Sequence, residues 1–243
     1  MRSSLPLEGN TSSGCSIVNA GPEELNILIA GVGGQGNLLA SEIISWASVR
    51  EGFKIRVADI FGAAQRGGAV TSHIRIGKEV YNPVMPRGSA HILLGFEPVE
   101  CLRAAGFLRS DCTAIINTRM IVPSSVTLGQ ASYPAMDEIT ELIGKLVRKI
   151  VTLDAASLAL KAGDALMVNI VMVGALAGTG ATPIHKETFT EAISNLVPSG
   201  TEQNNRKAFN LGFEEVQEKL KKSPIEARTS YPALPSGKTG KAS

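Results

Sequence analysis

Cysteine is scarce in this chain of 243 residues, which has only Cys15, Cys101 and Cys112. Three cysteines without close pairing exclude a disulfide scaffold, a four-cysteine zinc site and an iron–sulfur cluster held by this chain alone. The first residues also lack the basic start and apolar run of a secretory signal. We therefore expect a cytoplasmic protein with reduced thiols and no metal ligands of its own.

Aromatic residues and an excess of charge are lacking as well. Phe, Trp and Tyr make up 5% of the chain, too little for the stacking platforms that bind single-stranded nucleic acid. The formal net charge of +2 gives no bulk attraction to nucleic acid or to an anionic membrane. The longest apolar run, Ala165–Gly178, is shorter than the roughly 20 residues of a membrane span and contains Asn169. It predicts a buried helix, and we expect neither a nucleic acid nor a membrane as partner.

Apolar residues are abundant, at 44% of the chain, which is enough for one sizeable core. Strand-like runs alternate with helical periodicities through the middle of the sequence. This order predicts an α/β fold: a single Rossmann-like domain with a mostly parallel sheet, helices on both faces and a helical C-terminal third. The polar residues 1–24 and 223–243 are predicted to be flexible ends, which leaves residues 25–222 as the domain.

The order of elements begins with a strand at Asn26–Ala30, a glycine loop, a helix and a second strand at Lys54–Ile60. Such a βαβ unit requires two parallel strands and a crossover. Further strands are predicted at Val70–Ile76, Glu79–Asn82, His91–Phe96, Thr113–Asn117 and Lys149–Leu153, the first two joined as a hairpin through Gly77-Lys78. Helices are predicted at Val99–Gly106, Asp137–Val147, Ala155–Ala162, Ala165–Gly178, Lys186–Leu196 and Thr201–Lys222.

The glycine loop, Gly31-Val32-Gly33-Gly34-Gln35-Gly36, fits the G-x-G-x-x-G pattern between a strand and a helix. Glycines there let an anionic ligand approach bare backbone amides at the helix N-terminus. Asp59 follows at roughly the 20-residue separation of a ribose-binding carboxylate. The pattern favours a nucleotide or phosphate site, but glycines that only permit close helix–strand packing, or that face another subunit, explain it equally well.

A second glycine loop follows the second strand directly and includes Gln65, Arg66, Gly67 and Gly68. Loops at the carboxyl ends of neighbouring strands converge on one crevice in a doubly wound sheet. A guanidinium beside glycine amides suits a carboxylate, a phosphate or a carbonyl oxygen. The alternative is an arginine that binds carbonyls or forms an ion pair across a subunit contact.

These stretches resemble a known family, the gamma-type domain of 2-oxoacid:ferredoxin oxidoreductases. The likeness spans roughly Asn26 to Glu218, and the Ala-Gln-Arg-Gly-Gly form of the second loop is most similar to the small (beta) subunits of indolepyruvate ferredoxin oxidoreductases. The stretches that carry it are Gly31–Gly36, Asp59–Gly68, Ser72–Gly77, Pro86–His91, Gly95–Pro98, Asn169 with Gly174–Gly178, and Asn205 with Ala208-Phe209.

The resemblance implies a complex that oxidatively decarboxylates a 2-oxoacid with coenzyme A to an acyl-CoA and reduces ferredoxin. Thiamine diphosphate with Mg and the iron–sulfur clusters would belong to a large (alpha) partner subunit, and this chain would bind no cofactor alone and be inactive alone. We expect two loops to form the face that completes the site. Gln65 and Arg66 are the candidate site-completing residues, and the candidate cofactor contacts are Gly31, Gly33, Gly34, Gln35, Gly36, Gly67 and Gly68.

Two other functions stay open at this point. A stand-alone NAD(P)-dependent oxidoreductase would use the same glycine loop with Asp59 as the ribose ligand, and a scaffold module would use the crevice only for docking. Other residues favour structural roles. We expect hydrogen-bonded structural histidines at His73, His91 and His185, and buried inert thiols at Cys101 and Cys112. We expect the amide of Asn169 to be buried and paired to backbone or across an interface.

Overall fold

The computed structural model describes residues 23–62, 68–122, 126, 129 and 132–222. Residues 223–243, the predicted flexible C-terminal segment, lie outside the described residues. Residues 1–22 of the predicted flexible N-terminal segment also lie outside them. Glu24, which the sequence analysis assigned to that N-terminal segment, is the first residue of a strand.

The described part of the chain forms one six-stranded sheet. Its strands are β1 Glu24–Val32, β2 Lys54–Phe61, β3 Ala69–Gly77, β4 Ala90–Gly95, β5 Leu108–Asn117 and β6 Lys149–Leu153, in the order β2-β3-β1-β4-β5-β6. The pairs β1–β4, β4–β5 and β5–β6 are parallel, whereas β3 is antiparallel to both of its neighbours. The predicted mostly parallel sheet is confirmed.

Helices follow the strands as the periodicity predicted. They are α1 Asn37–Arg50, α2 Pro98–Arg103, α3 Met136–Gly144, α4 Ala155–Ala162, α5 Val168–Gly178, α6 Lys186–Leu196 and α7 Glu202–Lys222, with short 3₁₀ turns at Ala105–Phe107 and Ala165–Met167. The C-terminal third is helical, as expected. Within the described residues, no helix is both long and apolar enough to cross a membrane.

Alternation along the strands distributes the core over both faces of the sheet. Ile27 and Ile29 face a core shared with α1 and with α4 to α7, whereas Leu28 and Ala30 face a smaller core shared with α2 and α3. We refer to these as the first and second face. Helices therefore cover both faces, and this prediction is also confirmed.

The predicted hairpin through Gly77-Lys78 is wrong, because β3 pairs with β2 and β1 instead. Ile74 lies opposite Val57 on one side and Ile27 on the other. Both edges of β3 are thus occupied, and residues 79–82 have no strand edge to join and form none. The βαβ unit is correspondingly a split one, since β1 and β2 run in the same direction with β3 between them.

Close packing of α5 against α7 explains Gly174, Gly178 and Gly212 in the helical third. A Cβ at Gly174 would lie 2.0 Å from the Phe209 carbonyl oxygen, and a Cβ at Gly212 would lie 2.0 Å from that of Val171. The two backbones are therefore in direct contact. This pair of helices fixes the N-terminus of α5, which reaches the glycine loop described below.

Candidate functional site

At one point of the sheet, the helices that follow two neighbouring parallel strands go to opposite faces. We call the space between the carboxyl ends of these strands the crevice. The chain passes from β1 to α1 on the first face, and from the adjacent parallel strand β4 to α2 on the second face. In open α/β sheets this switch point, at the carboxyl ends of the strands, is the preferred place for ligands. The glycine loop Gly31–Gly36 lies there, as the sequence predicted.

Gln35 ties the two sides of this crevice together. Its Oε1 accepts a hydrogen bond from the Val32 amide at 2.9 Å, and its Nε2 donates to the Phe96 carbonyl oxygen at 2.9 Å. A Cβ at Gly31 would lie 2.7 Å from Gln35 Oε1, so the glycine leaves room for this side chain. Both ends of the Gln35 amide thus have an internal role, and its predicted contact with a cofactor stays a prediction.

The two glycine loops meet at their bases. The Gly33 amide of the first loop donates to the Gly68 carbonyl oxygen of the second at 2.9 Å. The Gly62 amide donates to the Ala69 carbonyl oxygen at 2.7 Å, which joins the two ends of the second loop. The predicted convergence of the loops therefore holds for Gly68. Three predicted site residues of the second loop, Gln65, Arg66 and Gly67, lie outside the described residues.

The start of α1 rests on the start of α5. Gly36 caps α1 in the left-handed region with φ 78°, and its carbonyl oxygen accepts from Asn169 Nδ2 at 3.4 Å. A Cβ at Gly36 would lie 2.5 Å from that nitrogen. Asn169 Oδ1 accepts from the Ile170 amide at 2.9 Å. The buried amide of Asn169 is thus paired to backbone, as expected, and it supports the loop from below.

Sequence reasoning missed the role of Glu97 and Asn117 in closing the floor of the crevice. Asn117 Nδ2 donates at 3.1 Å to the same Phe96 carbonyl oxygen that Gln35 binds, and its Oδ1 accepts from the first amide of α4. Glu97, only 2% exposed, caps α2 through the Glu100 amide at 3.0 Å. The acid directly before Pro98 was the signal for this cap, because Pro favours the first helical position.

Glu97 also holds the segment that follows β5. Its Oε1 accepts hydrogen bonds from the Ile121 amide at 3.3 Å and from the Tyr133 hydroxyl. Burial and this bond to the carboxylate raise the pKa of Tyr133 well above its usual value. The Tyr133 hydroxyl thus donates to the Glu97 carboxylate, and this bond anchors the chain beside the crevice.

Asp59 does not stand where a dinucleotide site needs a carboxylate. In that site the second strand is the direct neighbour of the first, whereas here β3 separates β2 from β1. Two strand spacings place β2 about 10 Å from β1. The topology thus argues against Asp59 as the ribose ligand of the glycine loop.

The remaining titratable candidates have structural surroundings. His73 Nδ1 accepts from the Met85 amide and His91 Nδ1 from the Asn26 amide, and burial lowers the pKa of both imidazoles. Exposed His185 pairs with a carboxylate, which raises its pKa. Burial raises the pKa of the Cys101 thiol and brings that of Cys112 to about 12, so neither is a ready nucleophile. Among the described residues, no three His, Cys, Asp or Glu side chains could share a metal ion.

Exposed apolar side chains surround the crevice at the carboxyl edge of the sheet. We call this set the apolar rim: Leu38, Ile60, Phe61, Met120, Ile121 and Val122. Leu38 lies in the first turn of α1, Phe61 ends β2 with 58% exposure, and residues 120–122 follow β5. Large apolar groups concentrated beside a ligand crevice are typical of a surface that another protein covers.

Comparison with known proteins finds related sequences along most of the chain. The pattern of the family described as pyruvate ferredoxin/flavodoxin oxidoreductase matches residues 26–215. The chain is 39% identical over 199 residues to the indolepyruvate oxidoreductase subunit IorB of Thermococcus kodakarensis, an alignment that covers 82% of this chain and 98% of that protein.

Solved structures share the fold. The gamma subunit of a keto/oxoacid ferredoxin oxidoreductase from Geobacter sulfurreducens matches with TM-score 0.62 at 23% identity, over 80% of this chain and 97% of that one. A 2-oxoglutarate:ferredoxin oxidoreductase from Magnetococcus marinus, solved with 2-oxoglutarate, coenzyme A and succinyl-CoA bound, matches with TM-score 0.62 at 18% identity. That match covers 81% of this chain but only 32% of the longer polypeptide.

Proposed function

This chain belongs to the pyruvate ferredoxin/flavodoxin oxidoreductase family, and from that premise we propose that it is the small subunit of an enzyme that oxidises indolepyruvate or another arylpyruvate. The observation that carries the proposal is the identity of 39% along 98% of an indolepyruvate oxidoreductase subunit. The reaction would convert a 2-oxoacid and coenzyme A into an acyl-CoA and carbon dioxide. The two electrons released would reduce two molecules of ferredoxin.

The chemistry is divided between two chains in this proposal. Thiamine diphosphate, when bound, would supply the electron sink for decarboxylation, and iron–sulfur clusters would supply the path for the electrons. Among the described residues, Cys101 and Cys112 are buried singly and do not fit a cluster, and no three His, Cys, Asp or Glu side chains could share the Mg of thiamine diphosphate. A large subunit would therefore hold both groups, together with Mg. The cytoplasmic location expected from the sequence stays a prediction.

The crevice would supply a face that closes the site of the large subunit. Within the described part of the chain, the amides of Gly34 and Gly36 donate to no acceptor, so they remain available to an anionic group. Arg66 would add a guanidinium from the second loop. The 2-oxoacid and coenzyme A are both anionic, and a face of amides and one cation would orient either of them while excluding water.

The apolar rim supports the non-autonomous role. It surrounds the first glycine loop, Gly31–Gly36, so a partner that covers the rim would also enclose the crevice. The Magnetococcus structure offers a parallel, because there the same fold is a part of a much longer polypeptide. A chain that exposes such a rim when alone is expected to associate with itself or to precipitate.

Reconstitution tests the proposal. The large subunit, this chain and the two together are assayed for ferredoxin reduction that depends on indolepyruvate and coenzyme A. Only the pair should be active. Arg66→Ala should lower kcat/KM of the assembled pair by roughly tenfold to a hundredfold, because a hydrogen bond to a charged group contributes about 1.5–3 kcal/mol. Arg206→Ala, a substitution on the exposed surface of α7, is the matched control.

The two other functions predict different results in the same assay. A scaffold module would give a pair that needs this chain for assembly but keeps full kcat/KM with Arg66→Ala. A stand-alone dehydrogenase would bind NAD(H) or NADP(H) saturably as an isolated chain. Either result would overturn the proposed function.

A further inference from the structure

A second surface lies apart from the crevice, in a groove between α1 and the edge strand β2. Its volume is about 720 Å³, and its walls include Trp46 and Val49 from α1, Val57 from β2 and Leu196 at the end of α6. The groove follows α1 from Glu42 to Arg50, a rise of about 12 Å at 1.5 Å per residue. An extended peptide of about four residues has that length.

The described helices and strands leave this surface uncovered. Among the described strands, β2 is the outermost of the sheet and pairs only with β3. Val49 on the wall of the groove is 57% exposed, and Trp46 is half-buried. The one-sided shape differs from a small-molecule site, which typically encloses 70–90% of its ligand. A segment of another protein fits the groove better.

The floor of the groove carries an unsatisfied acceptor. Asp59 Oδ1 is buried and has no hydrogen-bond partner among the described residues. Ser72 lies directly opposite Asp59 in the sheet, yet its buried hydroxyl is also without a partner there. Buried polar atoms are nearly always paired in native proteins, and among the described residues the Asp59 carboxylate is left short of a donor.

The charges around the groove indicate what kind of donor it is. Glu42 is exposed on the wall, so two carboxylates face the groove. The cation at its far end, Arg50, is already engaged: it pairs with Glu191 at 3.3 Å and lies over the Trp46 ring at 5.9 Å. The groove thus combines apolar walls with the carboxylates of Glu42 and Asp59, and this surface is complementary to a basic side chain flanked by apolar ones.

We propose that this groove docks a segment of the large subunit, with a lysine or arginine that pairs with the Asp59 carboxylate and apolar neighbours against Trp46 and Val57. The proposal rests on the proposed function, since it takes the large subunit as the partner. Continuity supports it, because the groove begins at the first turns of α1, beside the apolar rim. A partner seated on the rim extends into the groove without a break.

The sole tryptophan of the chain reports on the groove directly. The full-length chain is labelled with 5-fluorotryptophan at Trp46, and its fluorine signal is followed while unlabelled large subunit is added. A shifted signal at the equivalence point is expected. A signal that stays in place while the complex forms would overturn the proposal and leave the proposed function intact. A shift that depends instead on the concentration of the labelled chain alone would assign the groove to a second copy and also overturn it.

Variants give an independent answer through the dissociation constant of the two subunits. Val49→Arg fills the groove from an exposed position and should weaken assembly at least tenfold. Asp59→Asn preserves shape but removes the charge, and it should weaken assembly several-fold and flatten its salt dependence. Leu160→Arg, at a 64% exposed position on α4, is the control and should change assembly less than twofold. Equal affinities for all three variants would refute docking in the groove. If the wild-type chain does not bind the large subunit at all, the proposed function fails with it.

Discussion

Replacement of Gly36 by alanine tests how the glycine loop is held. Gly36 has φ 78°, and a left-handed conformation costs an alanine about 1–2 kcal/mol. The new Cβ would also meet Asn169 Nδ2 at 2.5 Å, and such overpacking typically adds about 1–3 kcal/mol. We therefore expect Gly36→Ala to reduce the free energy of unfolding by about 2–5 kcal/mol.

The two contributions can be separated with a second glycine of the same loop. Gly34 has φ 100°, but a Cβ there would have nothing within 4 Å. Gly34→Ala should therefore show the backbone cost alone, about 1–2 kcal/mol. The assay is urea unfolding followed by the fluorescence of Trp46, the only tryptophan in the chain.

A double-mutant cycle with Asn169→Ala then measures the steric part. Removing the Asn169 amide should relieve the clash with the new Cβ, so the double variant Gly36→Ala/Asn169→Ala should lose about 1–3 kcal/mol less than the sum of the two single variants. Gly34→Ala and Asn169→Ala should be additive within about 0.5 kcal/mol. Additivity in both cycles would refute the contact between the loop and α5.

Three further predictions concern the floor, the histidines and the helical third. Gln35→Glu replaces the donor to the β4–α2 turn by an acceptor and should lower the free energy of unfolding in urea by about 1–3 kcal/mol. An unchanged free energy of unfolding would refute the role of Gln35 in joining the two sides of the crevice. Burial holds the pKa of His73 and His91 below the usual 6.5, so the unfolded chain binds protons more readily. The free energy of unfolding should be fully retained above about pH 6.5 and decrease below it, and a flat pH profile would contradict this. Gly174→Ala should cost about 3 kcal/mol, whereas Gly144→Ala, with open space around it, should be close to neutral; equal midpoints would refute the α5–α7 contact.

Local signals were sufficient for the helices. Ala155–Ala162 and Lys186–Leu196 begin and end where the sequence predicted. For α4 the cap is visible in the sequence, because Asp154 accepts from the Ser157 amide at 2.9 Å. Such signals involve neighbours along the chain, and a single sequence contains them.

Strand partners could not be predicted in the same way. The residues of β3 alternate as those of any half-buried strand do, and nothing local says that β3 enters between β1 and β2. The same limit applies to the site. Gln35 lies in the glycine loop that the sequence singled out, but its hydrogen-bond partner is a carbonyl oxygen 61 residues further along the chain. The unpaired Asp59 oxygen likewise depends on which strands are neighbours.

The central claim is that this chain works only as part of a larger enzyme, and reconstituted turnover tests it most directly. Electron transfer from indolepyruvate to ferredoxin, in the presence of coenzyme A, is measured for each purified subunit and for the mixture. We predict activity for the mixture and none for either subunit alone. Full activity of the large subunit without this chain, or turnover by this chain as an isolated monomer, would contradict the claim.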